Sequence, residues 1–115
     1  MSQNRFVYNQ VYTVSVPKKE LTELACNKDL SKKDLRVCLL LFTKLDGYKI
    51  SDKVTLGDGR LKDPMNYNRI DIESIAETLE LKKKEVKASI ETLIDQGIIE
   101  EGSTTTVKNG YRFTF

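Results

Sequence analysis

The stretch LELKKKEVKASIETLIDQGII, residues 79–99, sets Lys82, Lys83, Lys84 and Lys87 around an aliphatic series, Val86, Ile90, Leu93 and Ile94, that recurs at helical spacing. With the aliphatic series turned inward, the opposite face presents Lys83, Lys84, Lys87, Ala88, Glu91 and Asp95, and Lys82 leads in from the preceding turn. Ammonium groups this close together can neutralise successive phosphates of a nucleic acid; they can also be no more than the solvated start of a helix. Lysine is a flexible point charge and not a planar fork, so the pattern speaks for backbone affinity more than for base choice. Reaction chemistry has little to build on elsewhere. The chain has no histidine, which removes Ser-His-Asp and Cys-His catalysis and two-His zinc sites together. No phosphate-cradling glycine motif is present, and Asp58 and Asp63 do not match the spacing of a calcium loop. Neither enzymatic activity nor a cofactor is expected.

The elements that must position those lysines can be read from the same rules. A chain of 115 residues with 39% hydrophobic and 31% charged residues suits one domain over residues 1–115 with a single modest core. Its longest apolar run, VCLLLF at 37–42, falls far short of the roughly 20 residues a membrane span needs. No apolar stretch follows the basic residue of MSQNRFVYNQ, so no secretory leader is expected and the cytoplasm is the expected compartment. Cys26 and Cys38 fit no redox motif and are expected as reduced thiols in or near the core. A net charge of +2 is weak, so nucleic-acid affinity would rest on local clustering.

Along the chain, QVYTVSVP alternates as a half-buried strand and Pro17 closes it. Residues 17–26 read as a short helix with Leu21, Leu24 and Ala25 on one face and proline in its first turn. Ser31 and Asp34 form a capping-box pattern that opens the central helix, which carries Leu35, Val37, Cys38, Leu39, Leu41, Phe42 and Leu45 inward and stops at Gly47. Residues 48–70 form an inserted loop or hairpin, with KVTLGDGRLK as a possible small hairpin. Asp71 is the expected N-cap of a two-turn helix ending near Leu79, and the lysine-rich helix follows over 82–96, halted by Gly97. Residues 98–115 read as a β-hairpin, with Asn109-Gly110 as its turn signal, and with Tyr111, Phe113 and Phe115 on one side of the last strand and Arg112 on the other. Tyr8, Tyr12, Tyr67 and Tyr111 could stack on single-stranded bases or pack in the interior.

The segment RIDIESIAETLELKKKEVKASIETLIDQGIIEEG resembles the helix-turn-helix of winged-helix DNA-binding domains through its IA..L.L...V...I..L...G.I skeleton. Ile75, Ala76 and Leu79 hold its first helix, Leu81 plugs the turn, Val86, Ile90 and Leu93 seat the second, and Gly97 with Ile98 launches the wing. The upstream VYTVSVPKKEL...KDLSKKDLRVCLLLFTKL resembles, more loosely, the lead-in of winged helices in plasmid replication initiators and phage replisome organisers. Two positions depart from the pattern. Glu80 stands where the turn often has glycine, and Lys82 where the second helix often begins with Ser or Thr. The resemblance implies an α+β fold: a winged helix-turn-helix with a three-helix core, an N-terminal strand and short helix (1–30) and a C-terminal β-hairpin wing (98–115).

Winged-helix domains insert the N-terminal half of the second helix into the major groove of double-stranded DNA. Carried onto this sequence, the resemblance implies contacts from Lys82, Lys83, Lys84, Lys87, Ala88, Ser89 and Glu91, with Lys108, Asn109 and Arg112 supplied by a basic wing. The expected function is a non-enzymatic, sequence-specific DNA-binding factor of a plasmid or phage. It would act in replication, partition or conjugative relaxosome assembly as a homodimer, with other DNA-processing proteins as further partners. A transcriptional regulator of the same fold and a protein-interaction adaptor that does not bind DNA are the alternatives.

Overall fold

Pro17 sets the start of the first helix in the computed structural model, which describes residues 14–48, 67–104 and 107–115. Helix α1 (Lys18–Cys26) has proline as its N-cap, one step before the expected first-turn position, where its missing N–H costs no bond. Leu24 alone of the expected stripe is buried; Leu21 is 46% exposed and Ala25 is open to solvent. Residues 14–17 form neither helix nor strand. The rest of the expected N-terminal strand, and the 49–66 part of the insertion with its possible hairpin, lie outside the described residues.

Helix α2 (Lys32–Leu41) begins with the expected capping box. Asp34 N–H donates to Ser31 Oγ (3.1 Å), and Ser31 N–H donates to Asp34 Oδ2 (2.9 Å), so the buried carboxylate is partnered. The helix stops at Leu41 and does not reach Gly47. Thr43 explains why: its Oγ1 donates to Leu40 O at 2.6 Å and its N–H to the same carbonyl at 3.0 Å, which tightens the chain out of α-helical register. The early stop swings Phe42 and Leu45 toward the C-terminal hairpin. Phe42 stacks on Phe113 with ring centroids 4.5 Å apart. Leu39, expected in the core, is 58% exposed.

Helix α3 (Ile72–Leu79) opens with Asp71 Oδ1 accepting the Ser74 N–H at 3.2 Å. It closes at Glu80, whose φ of 57° and ψ of 43° place a non-glycine residue in the left-handed region. Leu81 N–H then donates back to Ala76 O at 2.9 Å, and Arg36 Nη2 from α2 donates to Leu79 O at 2.9 Å. These bonds occupy carbonyls that a helix end leaves open. Helix α4 (Lys83–Asp95) follows at once and ends at Gly97, φ 72°, with Ile98 N–H donating to Leu93 O at 2.9 Å.

The strands β1 (Ile99–Gly102) and β2 (Gly110–Phe113) pair antiparallel, Ile99 opposite Phe113 and Gly102 opposite Gly110. Asn109 therefore does not make a two-residue turn with Gly110. It leads into β2 at φ 55°, its N–H donating to Ser103 Oγ at 3.0 Å. The outer edge of β2 is also occupied. Asn68 and Tyr111 exchange both backbone bonds (2.9 and 2.8 Å), and Phe113 N–H donates to Asp46 O at 2.9 Å. The Tyr67 ring lies across the hairpin so closely that a Cβ on Gly102 would sit 2.3 Å from Cζ, and any side chain there would have to displace the ring. Helices α2, α3 and α4 pack on one another, and α4 on β1, around a core of Val37, Cys38, Leu41, Ile75, Val86, Leu93, Ile99 and Phe113. The described chain is thus α+β, four helices and a two-stranded hairpin. No described helix is long and apolar enough to cross a membrane.

Candidate functional site

The inward face of α4 is fixed by Val86, Ile90 and Leu93, exposed by no more than 4%. That burial turns Lys83, Lys84, Lys87, Ala88 and Glu91 outward, and Lys82 is exposed at the helix start. Glu85 sets the orientation of this end. Its Oε1 accepts the Lys82 N–H at 3.0 Å, and its other oxygen takes the ammonium of Lys33 on α2. The Lys33 bond first, then the Lys82 N–H, hold the Glu85 carboxyl below its ordinary 4.5. The pair joins the start of α4 to α2.

The lysines stand at the electrically unfavourable end. The N-terminus of a helix carries the positive pole of the peptide dipole, where cations cost up to about 1 kcal/mol each and carboxylates stabilise. Helix α3 follows that rule, with Asp71 and Glu73 at its start. Helix α4 has one carboxylate, Glu85, in its first turn, among Lys82, Lys83, Lys84 and Lys87. Such an arrangement weakens the isolated helix and strengthens its attraction for an anion outside.

Arg69 was not anticipated as part of this surface. It is exposed and lines an open groove with Lys83 and Lys87, floored by Ile70 and Ile72 and shared with Asp71 and Glu73. Lys83 Nζ is 3.8 Å from Glu73 Oε2, with both side chains mostly exposed, a pair worth little in salt. Arg69 sits at the end of the insertion, where no periodic pattern signals its neighbours.

Two expected contact residues are corrected. Ser89 is 3% exposed. It falls three residues after Val86 and four before Leu93, on the buried stripe, and its spacing outweighs its polarity. Arg112 is 5% exposed. Its Nε donates to Glu100 Oε1 at 2.5 Å, and its guanidinium lies 4.5 Å from the Tyr48 ring centre and 4.7 Å from that of Tyr67. Strand alternation placed Arg112 opposite Phe113 as expected, but the ends of the insertion cover that face. Lys108 and Asn109 are exposed just before β2 and do not line the groove that Arg69, Lys83 and Lys87 share.

Of the two thiols, one lies in the core as expected and one does not. Cys38 is buried, and desolvation lifts it from an ordinary 9.0 to about 11, whereas Cys26 is exposed. Among the described residues no group of His, Cys, Asp and Glu could hold a metal ion. Comparison with protein-family models, curated proteins and solved structures gives no match.

Proposed function

We propose that the chain is a winged helix-turn-helix protein that binds double-stranded DNA, with α3 and α4 as the helix-turn-helix and the β1–β2 hairpin as the wing. The N-terminal half of α4 enters the major groove, led by Lys82, Lys83, Lys84 and Lys87, with Ala88 and Glu91 beside them. Arg69 takes an adjacent phosphate, and Lys108 and Asn109 approach the backbone from the wing loop. The observation that carries this reading is the concentration of exposed ammonium groups at the positive pole of α4. A bound polyanion offsets their mutual repulsion. The process served is a plasmid or phage DNA transaction, where a small accessory protein positions other factors.

The test is the Lys83→Ala, Lys84→Ala, Lys87→Ala triple variant in duplex binding measured by fluorescence anisotropy across a salt series. Affinity is expected to fall, with the log–log salt slope shrinking by roughly 0.9 for each phosphate no longer neutralised. The unfolding midpoint is expected to hold or rise, because cations leave the helix start. A protein-interaction adaptor is the second reading, favoured by the net charge of only +2 and by Glu73, Glu77 and Glu80 on and beside α3. Equal duplex affinity for parent and triple variant would select it.

A further inference from the structure

An apolar groove runs between α1 and α2, lined by Leu21, Leu24, Ala25, Leu35, Cys38 and Leu39. Leu21 and Leu39 are 46% and 58% exposed, although each lies on a helix whose other faces carry charge. The groove encloses about 220 Å³, below the roughly 300 Å³ at which small-molecule pockets begin. Its size suits inserted aliphatic side chains. Two cations flank it: exposed Lys18 lies one turn before Leu21, and exposed Lys32 one turn before Leu35, on the same faces. Among the described residues no carboxylate lines it. Glu20 and Glu23 of α1 line the cavity on the other side of Leu24, with Gln96 and Thr114. A helix bearing carboxylates complements both lysines, whereas a two-fold contact would bring the Lys18 and Lys32 of a second copy to the same patch.

We propose that this groove docks an amphipathic helix of a different protein, one that inserts aliphatic residues between α1 and α2 and sets carboxylates against Lys18 and Lys32. This is the helix-in-groove mode, read by anchors spaced one turn apart. At about 100° per residue, Leu39 lies about 120° around α2 from Lys33, which faces α4 through Glu85. The groove and the lysine face of α4 therefore look in different directions, and a helix in one leaves the other open.

A display library of randomised amphipathic helical peptides, selected against the full chain, tests the proposal. The expected winners carry Leu, Ile or Phe one turn apart with Asp or Glu beside them, and the best of them shifts the amide resonances of α1 and α2 but not of α4. Leu39→Glu, at an exposed position that leaves the fold intact, is expected to weaken it at least tenfold, and the Lys18→Glu, Lys32→Glu double variant likewise. Winners that are basic or uncharged, no enrichment at all, or equal binding by the variants would overturn it. So would a concentration-dependent dimer in sedimentation that Leu39→Glu dissolves, since a second copy would then own the groove.

Discussion

Arg112 shows how the same residue type changes meaning with its cover. Between Tyr48 and Tyr67, and bonded to Glu100, its guanidinium ties the ends of the insertion to the hairpin. Lysine keeps the charge but loses the flat stacking surface. Arg112→Lys is therefore expected to cost about 1–2 kcal/mol in urea denaturation, while duplex affinity of the folded protein stays unchanged. Weaker duplex binding at unchanged stability would return Arg112 to the DNA-facing surface. Cys38 carries a second residue-scale consequence. Its folded value near 11 exceeds the ordinary 9.0, so the unfolded chain releases this proton first. The stabilisation is whole below pH 9 and fades as pH rises toward 11. Urea midpoints between those limits should fall more steeply for the parent than for Cys38→Ala, which removes the ionisation.

At the scale of elements, the two departures from the helix-turn-helix pattern sit side by side in the α3–α4 turn. Glu80 holds the left-handed geometry that glycine adopts without strain, so Glu80→Gly is expected to raise stability by about 0.5–1 kcal/mol, read from thermal unfolding. A fall in stability would mean that the Glu80 side chain holds the turn by itself. Lys82 brings no side-chain oxygen to cap α4, and Glu85 supplies the reciprocal bond in its place. Much of this level was legible in the sequence because it is local. Ser31 with Asp34, Asp71 and Gly97 marked helix ends that the structure places where spacing put them. What apolar spacing could not show was the bond of Thr43 back to Leu40 that ends α2 early, Leu39 left outside, and Tyr48 and Tyr67 covering Arg112 from afar in the chain. In the candidate site, the exposed lysines were legible from helical period, the burial of Ser89 was legible but read against its polarity, and Arg69 gave no signal.

For the whole molecule, charge placement matters more than charge sum. A net +2 resolves into a lysine-rich start of α4 and carboxylates on and beside α3 that adjoin it, so attraction for a polyanion would be short-ranged and strongly dependent on salt. The hairpin is knitted into the remainder through the outer side of β2, where Tyr111 and Phe113 donate to Asn68 and Asp46. Their amides are expected to exchange with solvent as slowly as those of β2 that pair with β1, as hydrogen-exchange mass spectrometry or NMR would report; fast exchange would mean that the 46–48 and 67–68 segments detach on their own. The run GYRFTF, residues 110–115, has the aromatic, β-prone character that seeds cross-β growth when a strand has a bare flank. With β1 on one flank and Asn68 and Asp46 on the other, a second chain finds no template there. The ends of the insertion thus shield this run in the folded protein, and it could template a fibril from that flank only after they peel away.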